Sequence, residues 1–186
     1  MERHLTVSGF VVHQERVALY WHRKLDAWLP AGGHIEANED PVQATLREIR
    51  EEFAIEAEVL PLSKRYGYTG GPTELEAPHA LLDCWARDHF HVNFIYFCRH
   101  LSGFPGVSED PENPILWLDI PVLQRGSHPR NGADVPFAPD VQALAIEAIR
   151  AAKSFHASSV DRPSIRPSSP SLWTTRGLGG EVNPLP

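Results

Sequence analysis

The sequence predicts an α/β chain folded as one domain, on three observations. β-Branched and apolar runs of strand length recur between Leu5 and Cys98, an amphipathic helix follows Asp40, and a second follows Pro139. At 186 residues the chain is long enough for one proper core and too short to favour two.

Leu5 to Val12 and Val17 to Trp21 read as two strands joined by a turn at His13-Gln14-Glu15-Arg16, a hairpin that begins a sheet. The segment Trp28-Leu29-Pro30-Ala31-Gly32-Gly33-His34-Ile35 then leads towards the first helix, with Trp28 expected as a core or rim aromatic rather than a base-stacking platform. Asp40 has the features of an N-cap, Pro41 suits the first helical position and Gln43 completes a capping box, so the helix should start at Pro41. Val42, Leu46, Ile49 and Phe53 recur at helical spacing and form its buried stripe. Ala57 to Leu62 is expected as a strand, and Ser63 to His79 as a long loop in which Tyr66 and Tyr68 pack on the surface. Ala80 to Trp85 and Phe90 to Cys98 are the best strand pair and should lie centrally. A turn-rich loop, Leu101 to Pro114, carries Glu109, Asp110 and Glu112 into the short strand Ile115 to Leu118. Gln124 to Ala138 is expected to be irregular. The helix from Pro139 buries Val141, Leu144, Ala145, Ala148, Ile149 and Ala152 and should close the domain there, giving a domain over 1–152 and a serine- and proline-rich disordered tail over 153–186.

Composition excludes several roles. Seventeen lysines and arginines against 24 acids leave a balance of −7, which attracts neither a nucleic-acid polymer nor an anionic membrane. No apolar run approaches the ~20 residues that span a bilayer and no signal-peptide core is present, so a cytoplasmic protein is expected. Cys84 and Cys98 lie in apolar strands and should be buried thiols. His79, Cys84, His89 and His91 crowd one region, but their spacing fits no usual structural-zinc pattern and no zinc site is expected from them.

The first helix carries the chemistry. Glu48, Glu51 and Glu52 fall within an arc of roughly 80 to 100° on a face away from the apolar stripe, close enough to repel one another. Hard divalent cations such as Mg²⁺ take oxygen ligands from a few carboxylates together with substrate phosphates, and three glutamates on one helix face supply such a set. Gly32 and Gly33 come just before, where absent side chains let a backbone carbonyl and a polyphosphate approach closely. Together these features suggest a pyrophosphate site.

The order of residues is more specific still. Gly33 is followed by five residues and Glu39, then by seven and Arg47-Glu48-Ile49-Arg50-Glu51-Glu52-Phe53-Ala54-Ile55. This resembles the Nudix box, with every specified position met except its second glycine, which is Ala54 here. The WLPAGGH approach, the acidic loop, the tryptophan strand and the segment Asp119-Ile120-Pro121-Val122-Leu123 as a short helix are also similar to that family, out to about residue 152.

The resemblance implies the Nudix fold, an α/β/α sandwich with a mixed sheet between helices. It also implies hydrolysis of a small-molecule nucleoside diphosphate linked to another moiety, by water attack on phosphorus. Glu48, Glu51 and Glu52 would hold Mg²⁺ or Mn²⁺, with the carbonyl of Gly32 as a further ligand. Arg47 would orient the glutamates rather than touch substrate, and Glu39 would be a supporting carboxylate behind them. The metals would neutralise the diphosphate and lower the pKa of a bound water. A carboxylate would take the remaining proton: Glu112 by its place before Trp117, with Glu109 next, or Glu51 or Glu52 within the box. Homodimers are common among relatives. A non-catalytic nucleotide-binding module on the same fold is the alternative, and such members usually lose the box carboxylates that this chain keeps.

Overall fold

The computed structural model describes residues 2–67, 71–86, 88–103 and 115–159. Two strands, β1 (Arg3–His13) and β2 (Arg16–His22), form the expected hairpin, with Val12 opposite Val17 and a two-residue turn in which Gln14 and Glu15 both take positive φ. Two short strands follow, β3 (Ala27–Leu29) on β2 and β4 (Ala31–His34) on β1. The first helix, α1 (Pro41–Phe53), leads into β5 (Ile55–Val59). The strand pair β6 (Ala80–Ala86) and β7 (His89–Gly103) is antiparallel and longer than expected. Then come β8 (Ile115–Leu118), the short helix α2 (Ile120–Gln124), β9 (Ser127–Arg130), β10 (Ala133–Pro136) and α3 (Pro139–Ser159).

The centre of the sheet is the parallel pairing of β1 with β7, in register from Arg3 with Phe90 to Val12 with Arg99. Every other contact in this sheet is antiparallel, so it is mixed, with the order β3-β2-β1-β7-β5 and β4, β6 and β8 attached to β1, β7 and β2. Alternation along β1 and β7 gives the sheet two apolar faces. Phe10, Val12, Ile95 and Phe97 face α2 and α3, while Val11, Tyr96 and Cys98 face Ile49 and Phe53 of α1. Helices on both faces make the α/β/α sandwich of the Nudix fold. Gly9 lets α1 lie close, because a Cβ there would fall 2.7 Å from Ile49.

Several expectations need correction. The strand after α1 begins at Ile55 rather than Ala57, because Ala54 takes the left-handed conformation (φ 53°, ψ 34°) and turns the chain at once. The segment Gln124 to Ala138 is not irregular: β9 and β10 form a hairpin around Asn131 and Gly132, both at positive φ. The last helix continues past Ala152 to Ser159, and Phe155 packs on the core with the Arg99 guanidinium over its ring, so the domain boundary expected at 152 falls inside a helix. β6 pairs with β7 alone and is not central, whereas β7 is. Trp28 is 2% exposed and is a core residue. Tyr68, Glu109, Asp110, Glu112 and the tail from residue 160 lie outside the described residues.

Candidate active site on the first helix

The site is built on α1, whose start is held by a full capping box. Asp40 accepts from the backbone N–H groups of Val42 and Gln43, and Gln43 accepts from the N–H of Asp40. Burial of Ile49 and Phe53 against the sheet then turns the glutamate face towards β4.

Arg47 organises that face. Its guanidinium makes a two-pronged contact with Glu39, at 2.8 and 3.0 Å. It also donates to Glu48 at 2.8 Å, to Glu51 at 3.1 Å and to the backbone carbonyl of His34 at 3.0 Å. The hydrogen bond from Arg47 holds the Glu39 carboxyl below its ordinary range. One cation thus ties two box glutamates to the loop before the helix. Glu51 remains open, with 59% of its side chain exposed.

Glu52 is different. Its two oxygens accept from the Tyr20 hydroxyl at 2.5 Å and the Gly32 N–H at 2.9 Å. Burial, reinforced by the charges of Glu48 and Glu51 and opposed by those two hydrogen bonds, pushes its carboxyl up to about 7. Among the described residues no arginine or lysine pairs with it. Gly33 makes the room for Glu48, since a Cβ at that position would fall inside the Glu48 carboxylate, and a Cβ at Gly32 would fall on the carbonyl oxygen of Val7.

Glu48, Glu51, Glu52 and Gly32 are therefore gathered where α1 meets β4. Glu48 and Glu51 share one arginine and half-buried Glu52 has no cation among the described residues, so the three form a donor set of oxygens with surplus negative charge, which fits a hard divalent ion. Next to them a cleft of about 420 Å³ runs along the other face of β4, lined by Gly32, Gly33, Tyr20, Asn93 and Leu144, with Trp85 at its rim 55% exposed. Tyr20 was not among the expected site residues. Nothing local distinguishes it from a strand aromatic, and only the packing of β2 beside α1 brings its hydroxyl to Glu52.

The four residues weighed above for zinc do not gather. His79 stacks on Phe97 at 3.8 Å, and the group whose ligand atoms converge combines His89 and His91 with His4 and His34. Among the described residues no helix is long and apolar enough to cross a membrane.

Comparison with known proteins bears on the family and the fold. A sequence search of curated proteins finds no match. Among solved structures, a hydrolase of the NUDIX family from Clostridium perfringens superposes with a TM-score of 0.63 at 25% identity, covering 81% of this chain and 98% of that one. The Ap4A hydrolase of C. elegans (TM-score 0.53, 14% identity, 83% and 99% covered) and a MutT NUDIX hydrolase from Burkholderia pseudomallei (TM-score 0.53, 16% identity, 81% and 98% covered) share the fold. The family model described as NUDIX domain matches residues 2–134. With a match over that much of the chain, this protein belongs to the Nudix hydrolases, the family that cleaves pyrophosphate bonds in nucleoside diphosphate derivatives.

Proposed function

We propose that this chain is a Mg²⁺-dependent pyrophosphohydrolase, with Mn²⁺ as an effective substitute, acting on a free nucleotide or nucleotide sugar rather than on a polymer. The observation that carries the reading is Glu52, a half-buried carboxylate beside two others with which, among the described residues, no arginine or lysine pairs. Glu48, Glu51, Glu52 and the Gly32 carbonyl are the residues that would hold the ion. When bound, a divalent ion neutralises diphosphate charge and acidifies water.

The protein's own contribution is arrangement. Arg47 holds Glu48 and Glu51 in place through its anchor on Glu39, so the ligands need no reorganisation when substrate arrives. Tyr20 and Gly32 fix the Glu52 carboxylate in one orientation. The cleft beyond β4 receives the nucleoside end, with the exposed ring of Trp85 at its rim offering a face for a base.

Glu112 is assigned the proton-accepting role from its sequence position before Trp117. A second reading keeps the acceptor within the box, at Glu51 or Glu52, of which Glu51 is the one open to solvent. Amide substitution at Glu109, Asp110 and Glu112 separates the two. A fall of tenfold or more in turnover at saturating Mg²⁺ in one of them identifies it, and three parent-like amides move the role to the box.

The direct test is a panel of nucleoside triphosphates, dinucleoside polyphosphates, ADP-ribose and nucleotide sugars, with products resolved by chromatography with and without Mg²⁺. Metal-dependent cleavage of at least one member is expected. Tight nucleotide binding without turnover across the panel would refute hydrolysis and leave a binding module.

A further inference from the structure

On the face of β4 away from α1, four imidazoles converge. Sheet register alone requires it: His4 of β1 lies opposite His91 of β7, His89 is two residues before His91, and His34 of β4 lies opposite Thr6, two residues after His4. Alternation places all four on one face. Their nearest ring nitrogens all lie within 4.8 Å of one another. His4 Nδ1 is 3.3 Å from His34 Nε2, and His89 Nε2 is 2.8 Å from His91 Nε2.

The geometry points to a tetrahedral zinc site formed by His4, His34, His89 and His91, separate from the glutamates of α1. With Zn–N bonds of about 2.0 to 2.1 Å, the nitrogens of a tetrahedral site stand roughly 3.3 Å apart, so the His4–His34 spacing already matches and the others need small ring rotations. The outer nitrogens of two rings are supported as well. Glu2 lies 3.3 Å from His4 Nε2 and Asp88 lies 2.7 Å from His89 Nδ1, the carboxylate–histidine pairing that fixes the tautomer and raises the basicity of a metal-ligating ring.

An all-nitrogen set does not suit Mg²⁺ or Ca²⁺, which take oxygen, whereas imidazole suits zinc and its neighbours. Four protein ligands leave no open position, which makes the site structural rather than catalytic. Its consequence is mechanical. His34 follows Gly33 directly, and its carbonyl is held by Arg47, so an ion on its ring clamps β4 to β1 and β7 and steadies the strand that frames the glutamate site.

Zinc affinity of the full chain, measured by chelator competition in excess Mg²⁺ so that the carboxylates are occupied, tests this. One zinc per chain is expected. His34→Gln, an exposed position at which the fold is safe, and His4→Gln should each weaken zinc at least tenfold, while Glu48→Gln leaves it unchanged. Cobalt substituted for zinc should give the strong visible absorption of a tetrahedral site, lost in both histidine variants. Zinc should also raise the melting temperature of the parent and not of His34→Gln. The proposal is overturned if the parent binds no zinc under these conditions, if the histidine variants bind it as tightly as the parent, or if Glu48→Gln removes it.

Discussion

In the absence of metal, Glu52→Gln should make the protein more stable at pH 8 and leave it almost unchanged at pH 5. Burial and the adjacent carboxylates push the Glu52 carboxyl from 4.5 to about 7. An acid raised in the folded state binds more protons folded than unfolded between those two values. Its protonation therefore supports folding fully below about pH 4.5, and that support is lost as pH rises through 7. At pH 8 the charged, half-buried carboxylate costs ~3 kcal/mol relative to an exposed one. Glutamine removes the charge, but its amide offers one acceptor oxygen where the carboxylate offers two. Either the Tyr20 hydroxyl or the Gly32 N–H loses its acceptor, at a cost of ~1 kcal/mol.

The net expectation is a gain of ~1 to 2 kcal/mol at pH 8, shrinking to zero or a slight loss at pH 5, where the parent carboxyl is itself protonated. Urea denaturation of both proteins in chelator, from pH 5 to 8, measures the difference directly. Parallel stability profiles would refute the reasoning, since the parent would then carry no buried charge that opposes folding. The same variant, assayed with Mg²⁺, should lose at least a hundredfold in turnover. Near-normal rates would remove Glu52 from the metal set.

Two other substitutions and a pair of truncations test the site and its frame. Gly33→Ala should fold yet need at least tenfold more Mg²⁺ for half-maximal activity, because its methyl displaces the Glu48 carboxylate; an unchanged Mg²⁺ titration would show that Glu48 does not set ion affinity. Ala54→Gly should stabilise by a few tenths to ~1 kcal/mol, the left-handed cost of alanine less glycine's unfolded entropy, and a clear loss on denaturation would contradict this. Truncation after Ser159 should leave stability and turnover unchanged. Truncation after Lys153 should cost ~1 to 2 kcal/mol as the Phe155 contacts go, and equal melting temperatures for the two would refute a role for that last helical stretch.

What could be read from the sequence is what depends on neighbours along the chain. The capping box at Asp40 is present as expected, and of the expected stripe of α1 Ile49 and Phe53 are buried and Val42 partly so, whereas Leu46 joins neither core cluster and Ala44 and Thr45 are buried in addition. The Asn131-Gly132 turn was equally local and belonged to the strongest class of hairpin signal, but Pro129 and Pro136 obscured the strands beside it. Misjudging the helix end at Ala152 has a different cause. Phe155 lies three residues after Ala152, in phase with the apolar stripe of α3 and packed on the same core beside Arg99, but the serine- and proline-rich composition from Lys153 onward hid that continuation.

The remainder was hidden because it is set by register between distant strands. Tyr20 reaches Glu52 across 32 residues of sequence, and the histidines at positions 4, 34, 89 and 91 meet only once β1, β4 and β7 are aligned. Spacing arguments that look for ligands close together in sequence paired His89 and His91 with Cys84 and His79 and so discarded them. The strand β4 shows why register matters to function. Along Gly32-Gly33-His34 successive residues face opposite sides of the sheet, so Gly33 opens space for Glu48 on the α1 side while His34 turns its ring to the other histidines. A slip of one residue in the pairing of β4 with β1 would exchange the two, placing the imidazole ring against the Glu48 carboxylate and leaving the histidine cluster one ligand short. The pairing of Val7 with Gly33 and of Thr6 with His34 is therefore a condition for both sites at once.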